Sequence, residues 1–94
     1  MDKQATISLF ERLVRQFEHK ASQVQPGKFG PDPAFTSDSV NLARAVKSNF
    51  SDAAFETFKP VEKFFARHSV DQDEMSEFLS RVAAVRAAFK AEMP

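Results

Sequence analysis

Two histidines, His19 and His68, are the side chains of this 94-residue chain best suited to move a proton or bind a metal near neutral pH. Neither has the neighbours that such chemistry needs. Helix-borne metal pairs place two His four residues apart, or a Glu three residues before a His, and neither spacing occurs. Glu18-His19 and Arg67-His68 are adjacent in sequence, so their side chains diverge on a helix. His68, at the C-terminal end of its expected helix, reads as a cationic or hydrogen-bonding end residue. No cysteine is present, which excludes thiolate metal sites, iron–sulfur clusters, disulfide frameworks and cysteine nucleophiles. Ser69 follows His68, but there is no Gly-x-Ser-x-Gly turn to hold a serine nucleophile. Ser69 reads as a linker or cap. Gly27-Lys28-Phe29-Gly30 has the glycines of a phosphate cradle without the Gly-Lys-Ser/Thr order or a preceding strand. The paired carboxylates Asp71 and Asp73 are accounted for by helix capping. The expectation is a protein that is not an enzyme and carries no cofactor or metal.

Charge places the second bound. Lys+Arg and Asp+Glu both count 13, so the formal net charge is zero, without the basic surplus of a typical nucleic-acid binder. The best cationic surface is Lys3, Arg12, Arg15, His19 and Lys20, with Lys28 nearby. It ranks below a plain solvated face. The second and third helices resemble a helix-turn-helix in outline only. The would-be reading helix opens Ser51-Asp52-Ala53-Ala54-Phe55-Glu56, which offers phosphates two carboxylates. Residues 1–50 hold seven basic and five acidic residues, against six and eight in residues 51–94. The acidic run from Asp71 to Glu77 is the one patch of single sign.

These side chains must be positioned by helices. There are only 2 glycines, both in one stretch, too few turns for a sheet protein. That stretch, Gln25 to Phe35, also holds three of the five prolines and reads as an ordered surface loop pinned by Phe29 and Phe35. Before it, Thr6, Ile7, Phe10, Leu13, Val14, Phe17, Ala21 and Val24 share an arc of about 120° on a first helix from Gln4 to Gln25. Glu11 precedes Arg15 by four, the favourable order for an ion pair. Thr36-Ser37-Asp38-Ser39 reads as the cap of a second helix, carrying Leu42, Val46 and Phe50 on one side. Asn49-Phe50-Ser51-Asp52 reads as a break with Ser51 capping a third helix, to about His68, with a kink or restart at Pro60; one continuous kinked helix is the competing reading. Its apolar residues Ala54, Phe55, Phe58, Val61, Phe64 and Phe65 spread over roughly 180°, wider than one core stripe. Asp71 and Glu74 form a capping box, with Val70 and Met75 as its hydrophobic staple. The fourth helix then runs from Gln72 to about Glu92, with Met75, Phe78, Leu79, Val82, Val85, Phe89 and Met93 as its core stripe. The fold expected is all-α: one domain over residues 1–94, a compact bundle of four helices, the third kinked at Pro60, with one long Pro/Gly loop after the first.

Two features exceed what such a bundle needs. There are 11 Phe with no Trp and no Tyr, many rings for a chain this small to bury. The third helix cannot aim its whole arc at one core, so Phe58, Phe64 and Phe65 are expected to stay partly exposed as anchors for a partner. The side of the fourth helix opposite its core stripe is Ser76, Ser80, Ala83, Ala84, Ala87, Ala88 and Ala91. Three causes are open: helix-forming filler, a central helix packed on two sides, or a close-packing interface in which Ala84, Ala87, Ala88 and Ala91 meet another helix. The function expected is a small protein-interaction module, such as an adaptor, inhibitor or regulator, binding a protein partner or itself. The alternatives are a nucleic-acid-associated regulator using Arg12, Arg15, His19, Lys20 and Lys28, or a carrier of an apolar ligand between Phe-lined helices. The N-terminal residues lack an apolar secretion segment, and no run is long enough to span a bilayer, so a cytoplasmic protein with no membrane partner is expected.

Overall fold

The computed structural model describes residues 1–23, 32–67 and 69–94. Among these the regular elements are four helices: α1 (Lys3–Gln23), α2 (Pro33–Asn49), α3 (Asp52–Phe65) and α4 (Gln72–Ala91). Most of the Pro/Gly segment, with Lys28 and Phe29, lies outside the described residues, as does His68.

Local caps set the helix starts. Asp2 accepts the Ala5 N–H at 2.7 Å and so caps α1. α2 begins at Pro33, earlier than the Thr36–Ser39 cluster suggests. Asp32 is its N-cap, accepting from the N–H groups of Ala34 and Phe35 at 3.1 and 3.2 Å. Pro33 then sits where its missing N–H costs nothing and its fixed φ favours the helix. The last residues of the expected loop are therefore helical, and Phe35 enters the core from the first turn of α2. Ser51 accepts from the Ala54 N–H at 3.2 Å, so α2 and α3 are separate helices. α3 is uninterrupted through Pro60 and needs no restart there. It ends at Phe65, short of the expected His68, because the N–H groups of Ala66 and Arg67 turn back to the carbonyls of Lys63 and Phe64. α4 opens with the capping box: Glu74 N–H to Asp71 at 2.8 Å, and Asp71 N–H to the Glu74 carboxylate at 3.0 Å. The Arg67 guanidinium pairs with the same Glu74.

α2 packs against α1 on one side and α3 on the other, and α3 packs against α4. Where α1 faces α4, rings fill the gap: Phe10 meets Phe89 at a centroid distance of 5.4 Å, and Phe17 meets Phe78 at 4.6 Å. Among the described residues the ring contacts fall into two groups. One joins Phe50, Phe89, Phe10, Phe58 and Phe55. The other joins Phe35, Phe65, Phe17, Phe78 and Phe64. Between them in sequence, on every helix, stand buried aliphatic residues: Leu13 and Val14, Leu42 and Val46, Val61, Val82 and Val85. The core is an aliphatic waist between two aromatic layers.

This arrangement overturns the expected surplus of rings. Nine of the ten described Phe are buried, and Phe55 is half-buried. Phe58, Phe64 and Phe65 are 0%, 7% and 5% exposed. They are not surface anchors. The wide arc of α3 is divided among three neighbours, because rings of α1 also reach it through Phe10–Phe58 and Phe17–Phe65. Leu79, in contrast, leaves the expected core stripe and is 43% exposed. It lies one residue, about 100°, past Phe78, beyond the face made by Phe78, Val82, Val85 and Phe89.

Truncating a ring should cost more than removing a cap. Phe89→Ala would empty the contacts to Phe10 and Phe50 and destabilise by about 3–5 kcal/mol. Asp71→Ala should cost about 0.5–2 kcal/mol. Chemical denaturation followed by circular dichroism gives both values, and a cap variant less stable than the ring variant would contradict the layered core.

Candidate interaction surfaces

The outer side of α4 is solvent-facing along its length. Ser76, Ser80, Ala83, Ala84, Ala87 and Ala91 are all exposed. Ala88 turns inward, half-buried against the core. α4 is thus not a central helix packed on two sides, and that explanation of its small residues is removed. The face extends about 22 Å from Ser76 to Ala91 at the helical rise. Longer side chains stand only on its flanks: Leu79, Arg86 and Lys90 on one, Glu77 and Arg81 on the other, the last two 3.7 Å apart.

The cationic candidates on α1 are drawn into intramolecular contacts unequally. Arg12 pairs with Asp38 of α2 at 3.0 Å. Lys20 pairs with Asp32 at 2.8 Å and lies 3.9 Å from the centroid of the Phe35 ring. Lys3 donates to the Glu92 carbonyl at 2.9 Å. Arg15 and His19 are exposed one helical turn apart. The helical pair Glu11–Arg15 gives way to a longer-range one. Arg86 of α4 forks onto Glu11 through Nε and Nη2 at 2.8 and 2.6 Å. That contact raises the Arg86 pKa and, by hydrogen bond and charge, lowers that of Glu11.

A polar clasp gathers both chain ends at the α2–α3 turn. The Glu92 carboxylate accepts from the Ser51 N–H at 2.8 Å and from the Ser51 hydroxyl. Ser51 therefore donates to Glu92 while accepting from Ala54, so its hydroxyl serves as both donor and acceptor. Asn49 donates to the Met1 carbonyl at 2.8 Å and to the buried Thr6 hydroxyl at 3.2 Å. Sequence reading missed this cluster, and its bonded residues are up to 48 positions apart. Only the side-chain types, an Asn and a Ser at a helix junction, hinted at it.

Among the described residues no three of His, Asp and Glu are grouped as a metal site, and no helix is long and apolar enough to cross a membrane. No protein-family model, curated protein sequence or solved structure matches the chain.

Three carboxylates sit below their ordinary values: Glu11 through its hydrogen bond from Arg86, Asp32 through Lys20 and the Phe35 N–H, and Glu92 through Ser51. Each is lower in the folded than in the unfolded chain. Their stabilisation is therefore complete above the ordinary values of 4.5 for Glu and 3.8 for Asp, and is lost as pH falls through the depressed ones. Melting temperature should be flat near neutrality and fall below about pH 4.5. Glu11→Gln should flatten that acid slope. An unchanged slope would show that the Arg86 contact does not hold in solution.

Proposed function

We propose that the protein is a cytoplasmic protein-interaction module without chemistry of its own, acting as an adaptor, inhibitor or regulator. The outer face of α4 is its contact surface for a helical partner or a second copy. The observation that carries this reading is the exposed run Ser76, Ser80, Ala83, Ala84, Ala87 and Ala91. Small side chains let another helix approach closely, as in tight helix pairs. They also lose almost no rotamer freedom on docking, so less of the contact energy is offset by ordering. Leu79 on the flank adds an exposed apolar group to the same face. The buried Phe residues take no part. Carriage of an apolar ligand is less favoured, because rings occupy the spaces between the helices.

Ala87→Glu tests the reading. In the complex it would bury an unpaired charge, whereas in the free chain it meets only water. Its helical spectrum and melting temperature should match the wild type. Partner capture from the native host, or the dimer mass in solution, should be lost. Association equal to wild type would remove α4 from the interface. Loss of fold would mean that the face is needed internally, against its exposure.

A further inference from the structure

The edge between α1 and α2 carries a second surface, independent of the α4 reading. Two shallow depressions meet there, and Arg12 and Arg15 line both. Met1 and Leu9 give one end an apolar wall, while His19 and the Lys20–Asp32 pair give the other end a polar one. Of the carboxylates near this edge, Glu18 is exposed three residues after Arg15, and the others are already committed. Asp38 is held by Arg12, and Asp32 by Lys20 and two backbone N–H groups. Glu11, whose charge also reaches Arg15, uses both oxygens on Arg86. Arg15 makes no ion pair or hydrogen bond among the described residues, and His19 Nδ1 and Nε2 make none either.

We infer that this edge docks an acidic peptide segment of a partner protein. Its carboxylates meet Arg15 and His19, and an apolar side chain covers Leu9 and Met1. Leu9 and His19 are ten residues apart on α1, a reach of about 15 Å, which a ligand helix of similar length or a strand of about five residues spans. Charge and wall chemistry choose the ligand. A nucleic-acid strand would bring a continuous row of phosphates past Asp32 and Asp38, and would find none of the buried rings available for stacking. A peptide can place separate carboxylates at the Arg15 guanidinium and the His19 ring and use the apolar end, which phosphates cannot.

The test is a titration of the ¹⁵N-labelled protein with an end-blocked peptide of about twelve residues carrying Glu and Leu at helical spacing. A second peptide with Gln in place of Glu serves as the neutral probe, and single-stranded and duplex oligonucleotides serve as phosphate probes. Expected are amide shifts centred on Arg12, Arg15, Gln16 and His19, and binding that weakens as salt rises from about 0.05 M to about 0.5 M. The Gln peptide should bind about tenfold more weakly, a comparison that needs no variant. Arg15→Glu combined with His19→Glu should weaken the Glu peptide by about tenfold or more with an unchanged helical spectrum. Ala87→Glu should leave this binding intact, which separates it from the α4 surface. Shifts centred elsewhere, equal affinity for the Gln peptide, indifference to charge reversal, or tighter binding of an oligonucleotide at these residues would each overturn the inference.

Discussion

A phenylalanine ring has no polar atom to leave in water, and ten of them share the described part of this small bundle. Their placement is the constraint on which the rest depends. On α1 and α3 the paired rings Phe10/Phe17 and Phe58/Phe65 are seven residues apart, and on α4 Phe78/Phe89 are eleven apart. Seven and eleven residues are close to two and three whole helical turns, so both rings of each pair face the same way. An up-and-down path then brings Phe10, Phe50, Phe58 and Phe89 together at one level and Phe17, Phe35, Phe65 and Phe78 at the other. Shifting one helix by a single turn would set rings against the aliphatic waist and misalign both layers.

Because rings separate α1 from α4, polar contacts between these helices must come from long side chains. Arg86 meets this need by forking onto Glu11. Its reach crosses the gap, and its two N–H groups match the two carboxylate oxygens. At the α2–α3 junction, Ser51 and Asn49 bind the chain ends for a related reason. A turn exposes backbone groups that the core cannot satisfy: Glu92 accepts the Ser51 N–H, while the Asn49 side-chain amide donates to the Thr6 hydroxyl. The exposed pairs Arg12–Asp38 and Lys59–Glu56 add little by comparison, since solvent screens them.

What could be read from the sequence was local. The Asp71–Glu74 capping box and the Ser51 cap depend on residues within three positions, and both are present. Asp32-Pro33 is an equally local start signal, but the density of Pro and Gly before it hid the helix that it opens. Leu79 was misassigned because it fits a spacing of three to four residues with Met75 and Val82, which does not fix the centre of the stripe. The burial of Phe58, Phe64 and Phe65 could not be read, since it depends on α1 reaching across to α3. Of the surfaces, the small-residue run and the cations were visible as composition. Which cations remained unpaired was not, because Asp38 and Asp32 are selected by the α1–α2 packing.

Helix propensity does not fully account for the outer side of α4. Ala is the best helix former, so Ala83, Ala84, Ala87 and Ala91 satisfy that explanation. Ser76 and Ser80 do not, since Ser lies below Glu, Lys, Gln and Arg on the same scale. A helix chosen for stability and solubility alone would carry those longer residues there, as α1 does with Arg12, Arg15 and Gln16 at exposed positions. What Ala and Ser share is size. Under the proposed reading, small residues along about 22 Å of exposed helix would let a partner helix come close on a face that the folded core does not need.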